Sequence, residues 1–327
     1  MNRRLASLLL AVGFAAIAST PAQAQRFPVS GRPINMIVPF GAGGPTDVAA
    51  RLLVPSLEKE LGTPITVINK PGASTQIGVT QLVTSRPDGY NIGFLSLPQL
   101  LTIYMDPERK SVFARKDLQP LAMHVVDPVV VVVRAASPFT SMQQLLDFAK
   151  ANPNKVKAGD GGFMGTTHLA WLELARLSAT QLAFVHFDGS APSTTALLGG
   201  HIDVLLDTVA GAYNRVKAGE LRVLGIMDSQ ENAFLPGVKT LNSQGLKLEF
   251  AASRGLAAPA GTPKEVVDAL SAAIRKTINT EDHKKRMADM GQTLRYMDPA
   301  EFSAYWVAME KQVLPLIEQA KATAAKK

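Results

Sequence analysis

A glycine-rich turn stands between an apolar run and a helix near the start of the chain. Residues 34–38 are apolar except for Asn35 and predict a short buried strand, and residues 41–44, of which three are glycine, allow a tight turn. Pro45 suits the first turn of the helix that follows. Because the first N–H groups of a helix lack intrahelical partners and lie at its positive end, this segment predicts an anion pocket. Thr46 adds a hydroxyl, and a structural turn without a ligand is the alternative.

A second turn of this kind spans residues 159–167 and leads into another predicted helix. Thr166 and Thr167 would begin that helix, and capping accounts for one of them. Two adjacent hydroxyls beside Gly165 leave carboxylate binding and simple capping both open.

Neither turn matches a nucleotide-binding motif. A dinucleotide fingerprint that starts at Gly41 would need glycine where Thr46 stands, and Asn69-Lys70 follows the second strand where a carboxylate would bind ribose. A P-loop would need Gly-Lys-Ser/Thr, which does not follow. The sequence therefore predicts no nucleotide cofactor.

Catalytic and metal motifs are also missing from the sequence. The chain has no cysteine and no GxSxG elbow, and its five histidines show no HExxH or HxH spacing. We therefore predict a protein that is not an enzyme and holds neither cofactor nor metal.

Several charged residues lie near the predicted turns. Asp47, in the first turn of its helix, is better explained by a structural role, whereas Asp207 ends a buried strand where it could face a ligand. His168 is predicted to pack or cap. Arg254 follows a strand, and it either lies on the surface or clamps a second anionic group.

The first 24 residues are typical of a signal peptide. Arg3 and Arg4 precede an apolar stretch at 5–18, and Ala22-Gln23-Ala24 forms a small-x-small cleavage site. We expect export to the periplasm as a mature chain that begins at Gln25, with an uncleaved anchor as the alternative. The formal charge of +7 comes from scattered residues with few aromatics, so no nucleic-acid partner is predicted.

Strand and helix patterns alternate through most of the chain and predict an α/β fold with parallel sheets. The two glycine turns would each lie at the carboxyl end of a sheet, where open α/β folds bind ligands. We predict two lobes around a shared cleft, with residues 25–127 and 255–327 in lobe 1 and residues 128–254 in lobe 2.

Six short motifs occur in an order that resembles one family. They are Ile37-Val-Pro-Phe-Gly-Ala-Gly-Gly-Pro-Thr-Asp47, Asn69-Lys-Pro-Gly-Ala73, Arg86-Pro-Asp-Gly-Tyr90, Ala196-Leu-Leu-Gly-Gly-His-Ile-Asp203, Gly219-Glu-Leu-Arg-Val-Leu224 and Ala258-Pro-Ala-Gly-Thr-Pro263. Together they resemble the Bug/TctC family, the periplasmic receptors of tripartite tricarboxylate transporters.

The resemblance implies a Venus-flytrap receptor of the type II-like periplasmic binding protein class, whose mixed sheets are flanked by helices. In the family, the two glycine loops hold a ligand carboxylate through backbone N–H groups, hydroxyls and waters. The residues expected to contact the ligand here are Ala42, Gly43, Gly44, Thr46, Asp47, Ser96, Phe163, Met164, Gly165, Thr166, Thr167, Phe187, Asp207 and Arg254.

Departures from the family pattern leave the ligand open. Phe163 and Met164 occupy a turn that is usually rich in serine and glycine, and the usual aromatic-Lys-Gly reads Phe187-Asp188-Gly189. These apolar residues indicate an aromatic or long-chain acid, whereas Arg254 indicates a second carboxylate, as in di- and tricarboxylates. The expected partners are the large and small membrane components of a tripartite transporter, with the receptor itself a monomer. An exported enzyme acting on a carboxylate and a receptor for a sensor system are the alternatives.

Overall fold

The computed structural model describes residues 27–324, so the predicted signal peptide lies outside the described residues. Within the described range, no helix has the length and apolar character needed to cross a bilayer. The helices are α1 Pro45–Leu61, α2 Gln76–Val83, α3 Leu101–Met105, α4 Met142–Ala151, α5 Thr166–Ser178, α6 Ser190–Leu198, α7 Val209–Lys217, α8 Lys264–Ile278, α9 Glu281–Asp289 and α10 Pro299–Ala324.

The strands join into one mixed sheet that runs through the molecule in the order β2-β1-β3-β9-β4-β7-β5-β6, with β8 and β10 also paired to β4. The sets β2-β1-β3 and β7-β5-β6 are parallel, whereas β4 and β9 pair with their neighbours in antiparallel fashion. The strands are β1 Ile34–Val38, β2 Ile65–Asn69, β3 Asn91–Leu97, β4 Leu118–Arg134, β5 Lys157–Asp160, β6 Ala183–His186, β7 Val204–Thr208, β8 Leu221–Ile226, β9 Ala251–Pro259 and β10 Leu294–Met297.

The long strand β4 belongs to both halves of this sheet. Residues 118–128 pair with β9, and residues 129–134 pair with β7 and β8. Its second half contains a run of five valines, all fully buried, because alternate valines pack into different apolar clusters on the two faces of the sheet. We call the half built on β1–β3 the first lobe and the half built on β5–β7 the second lobe. The chain first passes between them near Asp127-Pro128 and returns at Ala251, which pairs with Pro128. The exact division at 127 and 255 stays a prediction.

The C-terminal helix α10 contacts both lobes, although the sequence places residues 255–327 in lobe 1. Near its start, Phe302 packs against Gly255 of β9. Near its end, Leu316 and Ile317 share a buried apolar cluster with Trp171 of α5. The helix is long enough to carry its apolar face from one lobe to the other, which a sequence pattern does not reveal.

Candidate functional site

A cleft of about 280 Å³ lies between the lobes, where the turn before α1 faces the turn before α5. Part of the residue set expected from the sequence lines this cleft. These residues are Ala42, Gly44, Thr46, Ser96, Gly165, Thr166, Thr167, Asp207 and Arg254. Gly43, Asp47, Phe163, Met164 and Phe187 are not among the lining residues.

The first-lobe turn is held from behind by Asp47. Its carboxylate accepts hydrogen bonds from the Gly43 N–H at 2.9 Å, from Arg51 Nε at 3.0 Å and from Asn69 Nδ2 at 2.8 Å. Gly43 has a φ of +81°, a conformation that favours glycine. Burial alone would raise the pKa of Asp47, but the bonds from Arg51, Gly43 and Asn69 together lower it. Asp47 therefore shapes the turn and leaves the N–H groups at the start of α1 directed to the cleft.

Replacing Asp47 with asparagine is expected to destabilise the protein by about 1–3 kcal/mol at neutral pH, since a buried charged acceptor is lost. Because the folded-state pKa is lowered, this stabilisation is present above the unfolded pKa and is lost as the pH falls through the folded pKa. Urea unfolding of both proteins at pH 7 and near pH 3 measures the effect. Arg51→Ala is the control. It removes a half-exposed partner and should cost less than about 1 kcal/mol. Equal losses for Asp47→Asn at both pH values would contradict the assignment.

The second-lobe turn is fixed by hydrogen bonds within its own loop. Thr167 Oγ1 accepts from the Gly161 N–H at 2.9 Å, and the Gly165 N–H donates to the Gly162 carbonyl at 2.9 Å. His168 Nδ1 accepts from the Met164 N–H at 3.0 Å. These contacts hold the start of α5 at the cleft.

The apolar residues expected at the ligand lie elsewhere. Met164 is buried in the largest apolar cluster, and Phe187 packs in a separate one. The Phe163 ring lies against His168 and His186 rather than over the cleft. Met164 has a φ of +57°, so the backbone reverses there and carries the Phe163 and Met164 side chains away from the glycines that line the cleft.

A third helix start at the cleft was not included in the sequence prediction. Asp188, Gly189 and the first turn of α6, from Ser190 to Ser193, line its second-lobe side. The signal was available, because Gly189 follows a predicted strand and precedes a predicted helix, as in the other two turns. N-terminal turns of α1, α5 and α6 thus meet at one cavity.

Arg254 lines the cleft but is already engaged by other side chains. Its Nη1 donates to Asp127 Oδ2 at 3.1 Å, and its Nε donates to Thr46 Oγ1 at 3.1 Å. Both members of the ion pair are buried, with 4% of the Arg254 side chain and none of Asp127 exposed. Burial raises the pKa of Asp127, although Arg254 lowers it in part. The arginine joins β9, β4 and the start of α1, so it positions the first-lobe turn.

Asp207 also lines the cleft and is almost fully buried. Ser190 Oγ donates to its Oδ2, and the Thr208 N–H donates to its Oδ1 at 2.7 Å. Burial raises the pKa of Asp207 to about 6, against the lowering effect of these hydrogen bonds. Asp207 therefore presents a hydrogen-bond acceptor to the cavity.

One cluster in the described part of the chain has the residue types of a cation site. Asp160, His168 and His186 come from three different elements, and their ligand atoms lie within 4.8 Å of one another. Asp160 already accepts from His186 Nδ1 and from the Gly162 N–H, both at 2.8 Å. The cluster as it stands braces the second-lobe loop by hydrogen bonds.

Comparison with known proteins decides the family. The family model described as "Tripartite tricarboxylate transporter family receptor" (TctC) matches residues 49–321. The chain belongs to this family. The TctC family comprises periplasmic solute-binding receptors rather than enzymes.

Relatives support this assignment over nearly the whole chain. A UPF0065 protein of Cupriavidus necator is 34% identical over 326 residues, which is 97% of this chain and 96% of the relative. The structure of the periplasmic binding protein BugD has a TM-score of 0.81 at 27% identity and covers 90% of this chain and 99% of its own. MatC from Rhodopseudomonas palustris with bound malate has a TM-score of 0.80 at 26% identity, covering 89% and 100%. The expected family and the two-lobed α/β fold are thus confirmed.

Proposed function

We propose that this TctC-family receptor captures a small organic carboxylate in the interlobe cleft and delivers it to the membrane components of a tripartite transporter. The observation that carries the proposal is the convergence of three helix starts, those of α1, α5 and α6, on one cavity between two lobes. On this proposal the mature chain begins at Gln25 and works in the periplasm as a monomer.

The chemistry of the cleft supports an anionic ligand group. Helix N-termini offer unpaired N–H donors and a positive dipole end, and carboxylates bind well to this combination. Thr46, Thr166 and Thr167 lie at two of these helix starts beside the cavity. MatC, a structural relative, is described with bound malate, which is itself a carboxylate.

Binding across the cleft should draw the lobes together, because one carboxylate would be held by helices from both. We expect a carboxylate that binds to raise the melting temperature and to reduce the radius of gyration. A thermal-shift screen of mono-, di- and aromatic carboxylates, followed by X-ray scattering with the best ligand, provides the test. If no carboxylate raises the melting temperature of the folded protein, the ligand class is wrong. If a carboxylate binds but the radius of gyration does not change, only the predicted closure of the lobes is contradicted.

A further inference from the structure

The charged side chains that line the cleft are mostly acidic. Among the described residues they are Asp188, Asp207 and Arg254. The single arginine is already paired with buried Asp127 at 3.1 Å, so its charge is neutralised before any ligand arrives. The local balance of these four residues is therefore negative. The backbone N–H groups at the helix starts can still bind one carboxylate. A second carboxylate would lie near acidic side chains whose charge no cation balances.

Asp207 is fixed in place as an acceptor. The Ser190 and Thr194 hydroxyls and the Thr208 N–H each donate to it, and the start of α7 packs directly behind its carboxylate. The charged groups that act on it are Asp127, which disfavours its ionised form, and Arg254, which favours it. A ligand group that contacts Asp207 should therefore be a hydrogen-bond donor. An acceptor or an anion in this position would be destabilised by desolvation and by charge repulsion.

A second buried acceptor lies beside the cleft, near the starts of α1 and α6. An adjoining chamber of about 280 Å³ shares Gly44, Pro45, Ser190 and Ala191 with the cleft. Gln292 lines it and is 3% exposed. Its Nε2 donates to the Pro45 carbonyl at 3.1 Å, whereas its Oε1 has no hydrogen-bond partner among the described residues.

The chamber also contains Arg215, which is half exposed and bonded to Glu220 at 2.7 Å. Its charge is thus balanced and screened by solvent. Gln292 Oε1 has almost no accessible surface, so it does not face a ligand in the chamber, and Asp207 is the buried acceptor that lines the cleft itself.

From the buried acceptor Asp207 at the cleft and the neutralised arginine, we infer that the ligand carries one carboxylate and, at its far end, a hydrogen-bond donor such as an amide or ammonium group, in place of a second carboxylate. This inference rests on the proposed function and narrows its ligand class. It also assigns Asp207 as the residue that selects the distal group. Arg254, which the sequence linked to a second carboxylate, instead positions Thr46.

Matched probes separate the two ligand classes. Succinate and succinamate have nearly the same shape and differ in one end group, as do the longer pair adipate and adipamate. Butyrate lacks a distal polar group, and gamma-aminobutyrate carries an ammonium. In calorimetric titration of the full mature protein, we expect at least one amide or ammonium probe to bind about tenfold or more tightly than its matched diacid and than butyrate.

Two substitutions test the assigned residue. Asp207→Asn removes the charge with little change of shape and should reduce the preference for the donor-bearing probe to about threefold or less. Asp188→Asn removes the exposed acid at the same cleft. It should reduce the preference for the donor-bearing probe by a smaller factor than Asp207→Asn does. The wild-type comparison stands by itself if Asp207→Asn does not fold.

Tighter binding of the diacids by the wild-type protein would overturn this inference and leave the proposed function intact. An unchanged preference in a folded Asp207→Asn protein would overturn the role of Asp207. If the folded wild-type protein binds no probe and no other carboxylate, the proposed function fails, and the inference fails with it.

Discussion

Replacing Arg254 with alanine is expected to lower the free energy of unfolding by about 3–5 kcal/mol, because the substitution leaves a buried carboxylate without its partner. Asp127 is fully buried and keeps only the Ala210 N–H at 3.2 Å and a side-chain bond from Thr208. The loss should therefore exceed that of any surface ion pair in the protein. Urea unfolding followed by circular dichroism measures it.

The pH dependence of this loss has a definite sign. Burial already raises the pKa of Asp127, and removal of Arg254 takes away the main group that opposes this. A raised folded-state pKa gives stability that is present at low pH and lost as the pH rises. The Arg254→Ala defect should therefore be smaller at pH 5 than at pH 8.

A double variant tests whether the unpaired carboxylate of Asp127 causes the loss of stability. Arg254→Met combined with Asp127→Leu replaces the pair by apolar side chains of similar size and should recover most of the stability. A loss below about 1 kcal/mol for Arg254→Ala alone would contradict the view that this buried pair is tightly coupled.

Replacing Gly165 with alanine is expected to weaken carboxylate binding about a hundredfold or more, which corresponds to the loss of one or two charge-assisted hydrogen bonds. An added Cβ would lie 2.8 Å from the carbonyl oxygen of Gly162, a backbone atom that cannot move without the loop. The start of α5 would shift relative to the cleft. Titration with the best ligand of the carboxylate screen measures the loss.

Gly161 offers a matched control in the same loop. A Cβ there would meet its nearest atoms at 3.6 Å and beyond, which is ordinary contact. Gly161 also lines the cleft, so its added Cβ would occupy space there without moving the loop, and Gly161→Ala should weaken binding by about tenfold at most, clearly less than Gly165→Ala. Similar weakening by both substitutions would show that the loop tolerates no side chain anywhere, and that the contact with Gly162 is not the cause.

The parts of the site that the sequence predicts well are local. Each helix start requires glycine, a following hydroxyl and an apolar strand within a few residues, and such short patterns can be recognised directly. The turns at Gly44 and Gly165 are examples, and both line the cleft. The order of the family motifs also predicted the fold.

The parts that could not be predicted depend on distant contacts. Arg254 meets Asp127 across the neighbouring antiparallel strands β9 and β4, and no spacing rule links two residues so far apart in the sequence. A structural role for Asp47 was expected from its place in the first turn of α1, but its partners Gly43 and Asn69 could not be read from the sequence. The positive φ at Met164 turned two expected contacts away from the cleft.

The position of β9 has a consequence for how the chain assembles. This strand lies between β3 and β4 in the sheet, yet it follows the entire second lobe in the sequence. Until β9 is available, one edge of β3 lacks its neighbour and stays open to other strands. The strands of the second lobe come from one continuous segment and can pair without β9, although α10 later covers part of this lobe. We therefore expect the second lobe to fold first and the first lobe to finish folding last. Folding of the second lobe would bring β9 close to β3, which precedes that lobe in the sequence.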